Sequence, residues 1–317
     1  MLKKISALFI TLLFLLGATA PQAAPWFTGP LLAPAGTTVP LGHFSFEPYF
    51  FYTQSSASYN SRGALVRVPA LINKQFNPIF TYGLADWVDA QLSAIYSINS
   101  SEGLSTHHIG DTSVLLGFQA LRQIPETWVP NLRITTQAII PTGRASSLNP
   151  TDKGTGVTGG GAYEAIISFN FQELLEFSPT HALRTRLCAA YLYSFSVTKN
   201  EKFDLNGDIE VIGHIKPGNL MTIDLSTELT ITQHWVAVME AYYLTHQASE
   251  FNGNIFYHGQ NTLLVPTHPA FNQTSIAPAI EYNFSAQVGI IAGAWFTVEG
   301  KNSPDFKSAV IAINWFW

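Results

Sequence analysis

Histidines near hydroxyls or carboxylates, and charged side chains set among alternating apolar residues, are where this 317-residue chain could do chemistry. His107 and His108 precede Ser113 by six and five positions, which are the residue types of a general base and a nucleophile. No third residue at an ordered spacing orients the base, so the pair reads as loop histidines. His246, His258 and His268 surround one polar stretch, too widely and irregularly spaced for a metal motif. Residues 204–208 (Asp-Leu-Asn-Gly-Asp) suggest an oxygen-ligand loop, yet the glycine is displaced and no distal glutamate follows at the required spacing. There is no glycine-rich phosphate loop opening a helix. Cys188 stands alone, so neither an intrachain disulfide nor a cysteine metal cluster can form. The sequence therefore predicts neither an enzyme, a metal site nor a cofactor.

The remaining chemistry lies in charges embedded in strands. Glu47, Asp89, Asp111, Arg133, Glu164, Arg184, Arg186, Asp224, Glu228, Glu240 and Glu281, with Gln91, Gln119 and Gln137, fall on one parity of alternating segments. The opposite parity carries Phe44, Phe46, Phe50 and Tyr52, Val88, Leu92 and Tyr96, and Leu132, Ile134 and Ile140. It continues with Leu187, Tyr191 and Tyr193, Ile223, Leu225 and Leu229, and Val288, Ile290 and Phe296. A period of two is a strand with two different faces. A charge aimed at a lipid mid-plane costs about 2–4 kcal/mol for a basic residue, so the charged parity reads as the inside of a barrel. Acids outnumber bases there. Either the arginines pair with neighbouring carboxylates and fill a narrow barrel, or the excess acid lines a water path favouring neutral or cationic solutes.

The elements that would position those residues are strands of a transmembrane antiparallel up-and-down β-barrel. Hydrophobic residues make up 47% of the chain and charged residues 12%, where soluble domains carry about 25% charged residues. Twelve strands are expected, near 42–53, 75–84, 87–98, 109–121, 131–141, 158–171, 182–197, 219–231, 234–246, 272–284, 286–298 and 306–317. Ten or fourteen remain open. Short turns at 81–87, 230–235 and 282–287 carry polar or small centres flanked by aromatics, as at the periplasmic girdle of a barrel. Long connections rich in Ser, Asn, Gly, Thr or Pro are expected at 54–74, 99–108, 142–157, 198–218 and 247–271, on the extracellular side.

The two ends fit an exported barrel. Met1-Leu2-Lys3-Lys4, an apolar run from Ile5 to Leu16 and small residues to Ala24 form a secretory signal, cleaved near residues 20–24. Loss of Lys3 and Lys4 takes the formal charge from −5 to −7, which argues against a nucleic-acid partner. Residues 25–41, with Pro25, Pro30, Pro34 and Pro40, form a proline-rich leader before the barrel at 42–317. The leader stays in the periplasm or folds back into the barrel mouth. At the other end Ala309, Ile311, Ile313, Trp315 and Trp317 alternate with Asn314 and Phe316. This pattern resembles the C-terminal signal by which bacterial barrels engage the barrel-assembly machinery, with Trp315 and Trp317 toward outer-membrane lipid and Asn314 and Phe316 inward.

Four stretches, 41–50, 109–119, 139–144 and 148–164, resemble the bacterial outer-membrane family named for the MetA pathway of phenol degradation. The resemblance covers nearly all of the chain beyond the signal. It implies an outer-membrane barrel associated with uptake of aromatic or other hydrophobic compounds, and no catalytic residues. The expected function is a channel for small solutes in the bacterial outer membrane. The alternatives are a lipid-active hydrolase built on His107 or His108, and a barrel with a plugged lumen serving a structural or surface role.

Overall fold

The structure, a computed structural model, describes residues 25–145, 153–178, 181–203, 209–257, 259–262 and 268–317. Residues 1–24, expected from the sequence to be a secretory signal, residues 204–208 and His258 lie outside the described residues. The chain forms β1 (Phe44–Tyr59), β2 (Leu65–Ala85), β3 (Val88–Ser101), β4 (Leu104–Leu121), β5 (Asn131–Ile140) and β6 (Glu164–Ser178). There follow β7 (His181–Ser194), β8 (Val197–Phe203), β9 (Ile209–Lys216), β10 (Leu220–Thr230) and β11 (Trp235–His246). The last five are β12 (Glu250–Tyr257), β13 (Gln260–Thr262), β14 (Phe271–Asn283), β15 (Val288–Lys301) and β16 (Pro304–Phe316).

Twelve of these strands close an antiparallel barrel in the order β1-β16-β15-β14-β11-β10-β7-β6-β5-β4-β3-β2. The first and last strands meet: Phe44 N donates to Trp317 O at 2.8 Å and Trp317 N to Phe44 O at 3.0 Å. Closure leaves no sheet edge, which is what lets a sheet stand in lipid. The two rings stack at 5.6 Å, and Trp315 lies 5.2 Å from Trp317 on the outer surface. Phe316 turns the other way onto His43, and Asn314 Nδ2 donates inward to Thr28 O at 2.9 Å.

The outer wall is an apolar belt. Phe50, Leu92, Leu187, Leu225, Leu229 and Ile311 are exposed, while Asp224, Ser226 and Glu228, alternating with Leu225, are buried. Parity thus separates lipid from lumen as the sequence pattern requires.

Loop lengths differ from expectation on one side. The anticipated loop at 54–74 is a continuous β1–β2 hairpin with a turn at 60–64, in which Asn60 Oδ1 accepts the amides of Arg62 and Ala64. The one expected at 99–108 is the tight β3–β4 turn, where Glu102 (φ 46°) and Gly103 (φ 84°) adopt the positive φ of a two-residue hairpin. These strands run past the apolar belt, where both faces are wet and Ser, Asn and Thr satisfy each other. Asn73 donates to Asn99 at 2.7 Å, and the Ser100 and Ser105 hydroxyls lie 3.0 Å apart. The apolar alternation that marks a half-buried strand is absent there, although the ladder continues. Two later connections instead carry a separate four-stranded sheet, ordered β13-β12-β9-β8.

The belt yields a stability prediction. Leu225→Arg places a charge on the lipid face of β10 and is expected to cost about 2–4 kcal/mol. The same change at Ile212, exposed on the separate sheet, costs under about 0.5 kcal/mol. Urea unfolding of the protein in liposomes reads both.

Candidate functional site

Residues 25–41 are not a free tail. They cross the lumen at the short-turn end and make its floor. The leader's four prolines lack an N–H, and each would leave a gap in any ladder the segment formed. Buried backbone groups still need partners. Inward-facing side chains supply them. Thr28 N donates to Glu281 Oε2 at 2.7 Å and Gly29 N to Glu281 Oε1 at 3.3 Å. Leu31 N donates to Glu240 Oε1 at 2.5 Å, and Leu32 N and Ala33 N to Glu240 Oε2 at 3.0 and 2.9 Å. Gly36 N reaches Gln172, Thr38 N reaches Gln119 at 2.8 Å, and Val39 N reaches Asp89 Oδ2 at 2.9 Å. Leader carbonyls are met as well: Arg186 Nη1 donates to Ala33 O at 2.8 Å and Gln119 Nε2 to Gly36 O at 3.0 Å.

Apolar contacts fix the same segment. Leu31 packs with inward-facing Val236, Val238, Ala277, Ile291, Val310 and Ala312. The lumen, read as polar from the sequence, thus carries an apolar patch on β11, β14, β15 and β16 beside the inward Glu240 and Glu281. Phe27 lies 4.4 Å beneath the Arg184 guanidinium, and Trp26 meets His234 edge-on at 5.2 Å.

The charged residues of the inner wall separate into three groups. In the first, Asp89 Oδ1 accepts from Arg133 Nη2 at 2.6 Å, both residues being buried. Arg184 makes a two-pronged contact with Glu228, and Arg186 Nε lies 3.6 Å from the same carboxylate. Glu240 and Glu281 form the second group, as acceptors for the leader. The third lies apart. Asp111 accepts the amides of Gly143 at 2.9 Å and Gly160 at 2.7 Å, and Glu164 accepts from Ser194 Oγ at 3.1 Å. Asp111 thereby holds the connection between β5 and β6 against the long-loop mouth, while Glu164 ties the start of β6 to the end of β7. Asn99 joins them there, donating to Thr155 O at 3.0 Å and Val157 O at 2.8 Å. Glu47 accepts from Ser45 and Tyr49 on its own strand. Asp224 is buried with no hydrogen-bond partner on either oxygen.

Between floor and mouth lies a cavity of about 470 Å³. Tyr49, Phe51, Tyr242 and Trp295 line it on one side, and Gln91, Arg133, Gln137 and Arg186 on the other. This is a concave, mixed surface of the size that holds small organic molecules. The arrangement can bind and orient an amphipathic solute. It brings no nucleophile and base together at the candidate pair: His107 packs 6.3 Å from Tyr96 on the outer wall, whereas Ser113 faces inward opposite Ser93. His246 stacks on Phe271 at 4.8 Å.

Reading the charges alone misses the small inward residues. A side chain at Gly117 would strike Asp89 and Arg133, one at Gly289 would strike Thr28 and Asn283, and one at Gly293 would meet Leu31 at 2.8 Å. Glycine on the inward parity of a strand is the available signal that another group lies close by.

No protein-family model matches the chain, and no curated protein matches it. Among solved structures, an outer membrane channel from Pseudomonas putida F1 aligns over 90% of this chain and 100% of its own. The TM-score is 0.67 at 13% identity. The transport unit of the autotransporter AIDA-I from Escherichia coli (TM-score 0.44, 10% identity, 86% and 89% covered) and the NanC porin (0.39, 11%, 85% and 98%) align more loosely. The first of these shares the fold: the chain is a closed twelve-stranded barrel of outer-membrane type.

The leader's attachment is directly testable. Glu240→Ala removes the acceptor of three amides, and hydrogen bonds to a charged group contribute about 1.5–3 kcal/mol each. Docking should weaken by at least about 3 kcal/mol, so protease cleaves within residues 25–39 at least ~100-fold faster while the barrel keeps its heat-modifiable gel mobility. Gly289→Val should free the Thr28 end in the same assay.

Proposed function

We propose that this protein is an outer-membrane channel for small solutes with an aromatic or otherwise hydrophobic body and a polar group. One observation carries the reading: a cavity of about 470 Å³ with aromatic rings facing arginine and glutamine, floored by a segment held through side-chain contacts and not by a strand ladder. The rings offer an apolar wall, and the arginines and glutamines a polar one. No cofactor is required, because lining charges and inward segments set the constriction and diffusion does the rest. The resemblance to the phenol-degradation family supports the same class of solute. Within this reading residues 1–24 are a cleaved secretory signal, the long connections face outward, and the strand ending at Trp315 and Trp317 is read by the barrel-assembly machinery.

The filled floor favours a second reading, a plugged barrel with a structural or surface role. Both are decided in planar bilayers and by liposome swelling with aromatic acids, sugars and amino acids. The channel reading expects low conductance from the intact chain and a severalfold rise on deleting residues 25–39. It expects aromatic acids to lose their advantage over sugars when Phe51 and Trp295 are both replaced by Ala. No current and no swelling from either the intact or the deleted chain would leave the plugged barrel.

A further inference from the structure

Lys74 and Lys307 break the rule of the outer wall. Lys74 on β2 pairs with Tyr52, and Lys307 on β16 pairs with Gln54, so the two flank β1 on its lipid-facing side. Both are exposed. Neither makes an ion pair among the described residues; the Lys74 ammonium has the Tyr52 ring at 6.0 Å instead. The neighbouring outer-wall carboxylates, Asp305 and Glu299, lie further toward the long loops, where Asp305 pairs with Ala57 and Glu299 accepts from Thr274.

Their height is set by register. Tyr52 and Gln54 lie eight and ten residues above Phe44, whose ring stacks with Trp317 at the short-turn girdle. At about 3.3 Å per residue and a tilt of about 40°, that is roughly 20 and 25 Å, the far edge of an apolar band about 25 Å tall. Two strand spacings and a two-residue offset put the two lysine Cα atoms about 12 Å apart. Flexible side chains can bring both ammoniums to one anionic headgroup from that distance.

Just below the lysines the wall is recessed. One groove of about 420 Å³ is lined by Phe50, Tyr52, Phe76, Tyr96 and Ile311. It adjoins another of about 460 Å³, where Ala294 and Ala309 leave a shallow bed beside Phe296. Tyr52 and Ala309 border both. An apolar bed with two uncompensated positive charges at its upper rim is complementary in shape and charge to an acylated anionic lipid.

We propose that this face binds a phosphorylated, acylated glycolipid of the outer leaflet. Its acyl chains lie over Ala294 and Ala309, and its phosphates lie between Lys74 and Lys307. The proposal rests on the outer-membrane reading with the long loops outside, and is independent of which solute passes.

Native mass spectrometry of the intact refolded protein with bisphosphoryl lipid A tests it, with dephosphorylated lipid A of the same acylation as the comparison. The double variant Lys74→Gln with Lys307→Gln should lose at least about tenfold in bisphosphoryl lipid binding and nothing in dephosphorylated lipid binding. Lys301→Gln, on the loop side, should change neither. Filling the bed with Ala294→Leu and Ala309→Leu should weaken both lipids. Heat-modifiable mobility verifies that each variant folds. Equal binding by the wild type and the lysine double variant would mean that the lysines simply reach up to water, and would overturn the site. So would equal affinity for the two lipids, or displacement by millimolar inorganic phosphate. Fractionation of expressing cells separates the two ideas: protein found outside the outer membrane refutes the location, whereas lost phosphate selectivity refutes only the site.

Discussion

Every backbone N–H and C=O withdrawn from bulk water must find a partner, and this molecule meets that demand in two ways. The wall does it with strand ladders closed on themselves, down to the reciprocal bonds between Phe44 and Trp317. The leader does not do so: it crosses the strands without running along them, and Pro30 and Pro34 leave gaps in its donors. Its amides therefore fall to side chains on β3, β4, β6, β11 and β14. The identity of the inner wall follows from this division. Carboxylates at positions 240 and 281 face chain amides, so they need no basic partner.

That arrangement accounts for the acidic excess of the lumen more fully than a selectivity filter does. Arg133, Arg184 and Arg186 are matched to Asp89 and Glu228, and breaking one partner of such a buried pair is costly because it leaves a charge uncompensated. Once Glu240 and Glu281 hold the leader, Asp111 holds the mouth and Glu164 accepts from Ser194 on β7, few carboxylates remain to bias a water path toward cations. The cavity has rings on one side and guanidinium and amide groups on the other, so under the proposed channel function shape and amphipathic character, not net charge, would select the solute.

Strand parity was legible wherever one face meets lipid and the other does not. Phe44 to Tyr52, Leu187 to Tyr193 and Ala309 to Trp317 each read correctly because a two-residue period is forced by that contrast. Parity also grouped the charged residues on one face, though not their partners, since Asp89 and Arg133 are 44 positions apart. Where strands leave the belt, the contrast vanishes. Residues 54–59 carry Ser and Gln on either face, and 65–72 carry Leu, Val, Ala and Ile on either face with Arg67 and Pro69 among them, so neither stretch shows a two-residue contrast and both read as loop, while the ladder persists. The leader's position was not legible for a related reason: a proline-rich segment has no period, and its acceptors are 50 to 253 residues away in the chain. Two traces of it were present, namely more inward acids than bases and inward glycines at 289 and 293 on β15.

The leader's mode of attachment also bears on how a solute could pass. A ladder strand leaves only by breaking a cooperative row of backbone bonds. The segment from Leu31 to Ala33 hangs on one carboxylate, the Arg186 contact to Ala33 O and one apolar contact cluster. Releasing its amides to water exchanges one set of hydrogen bonds for another, a net change of about 0.5–3 kcal/mol per bond. Withdrawing Leu31 from its cluster costs about 1.5–3 kcal/mol more, partly offset by the freedom the chain regains. These terms are small beside what opening the wall would require, so the floor is the part of the barrel that yields first. Tyr49 and Trp295 line the cavity together with Leu31 and the rest of the leader. Under the proposed channel function, an amphipathic solute against those rings would therefore touch the leader and replace part of the apolar surface that Leu31 gives up, which would couple solute to floor without any movement of the strands.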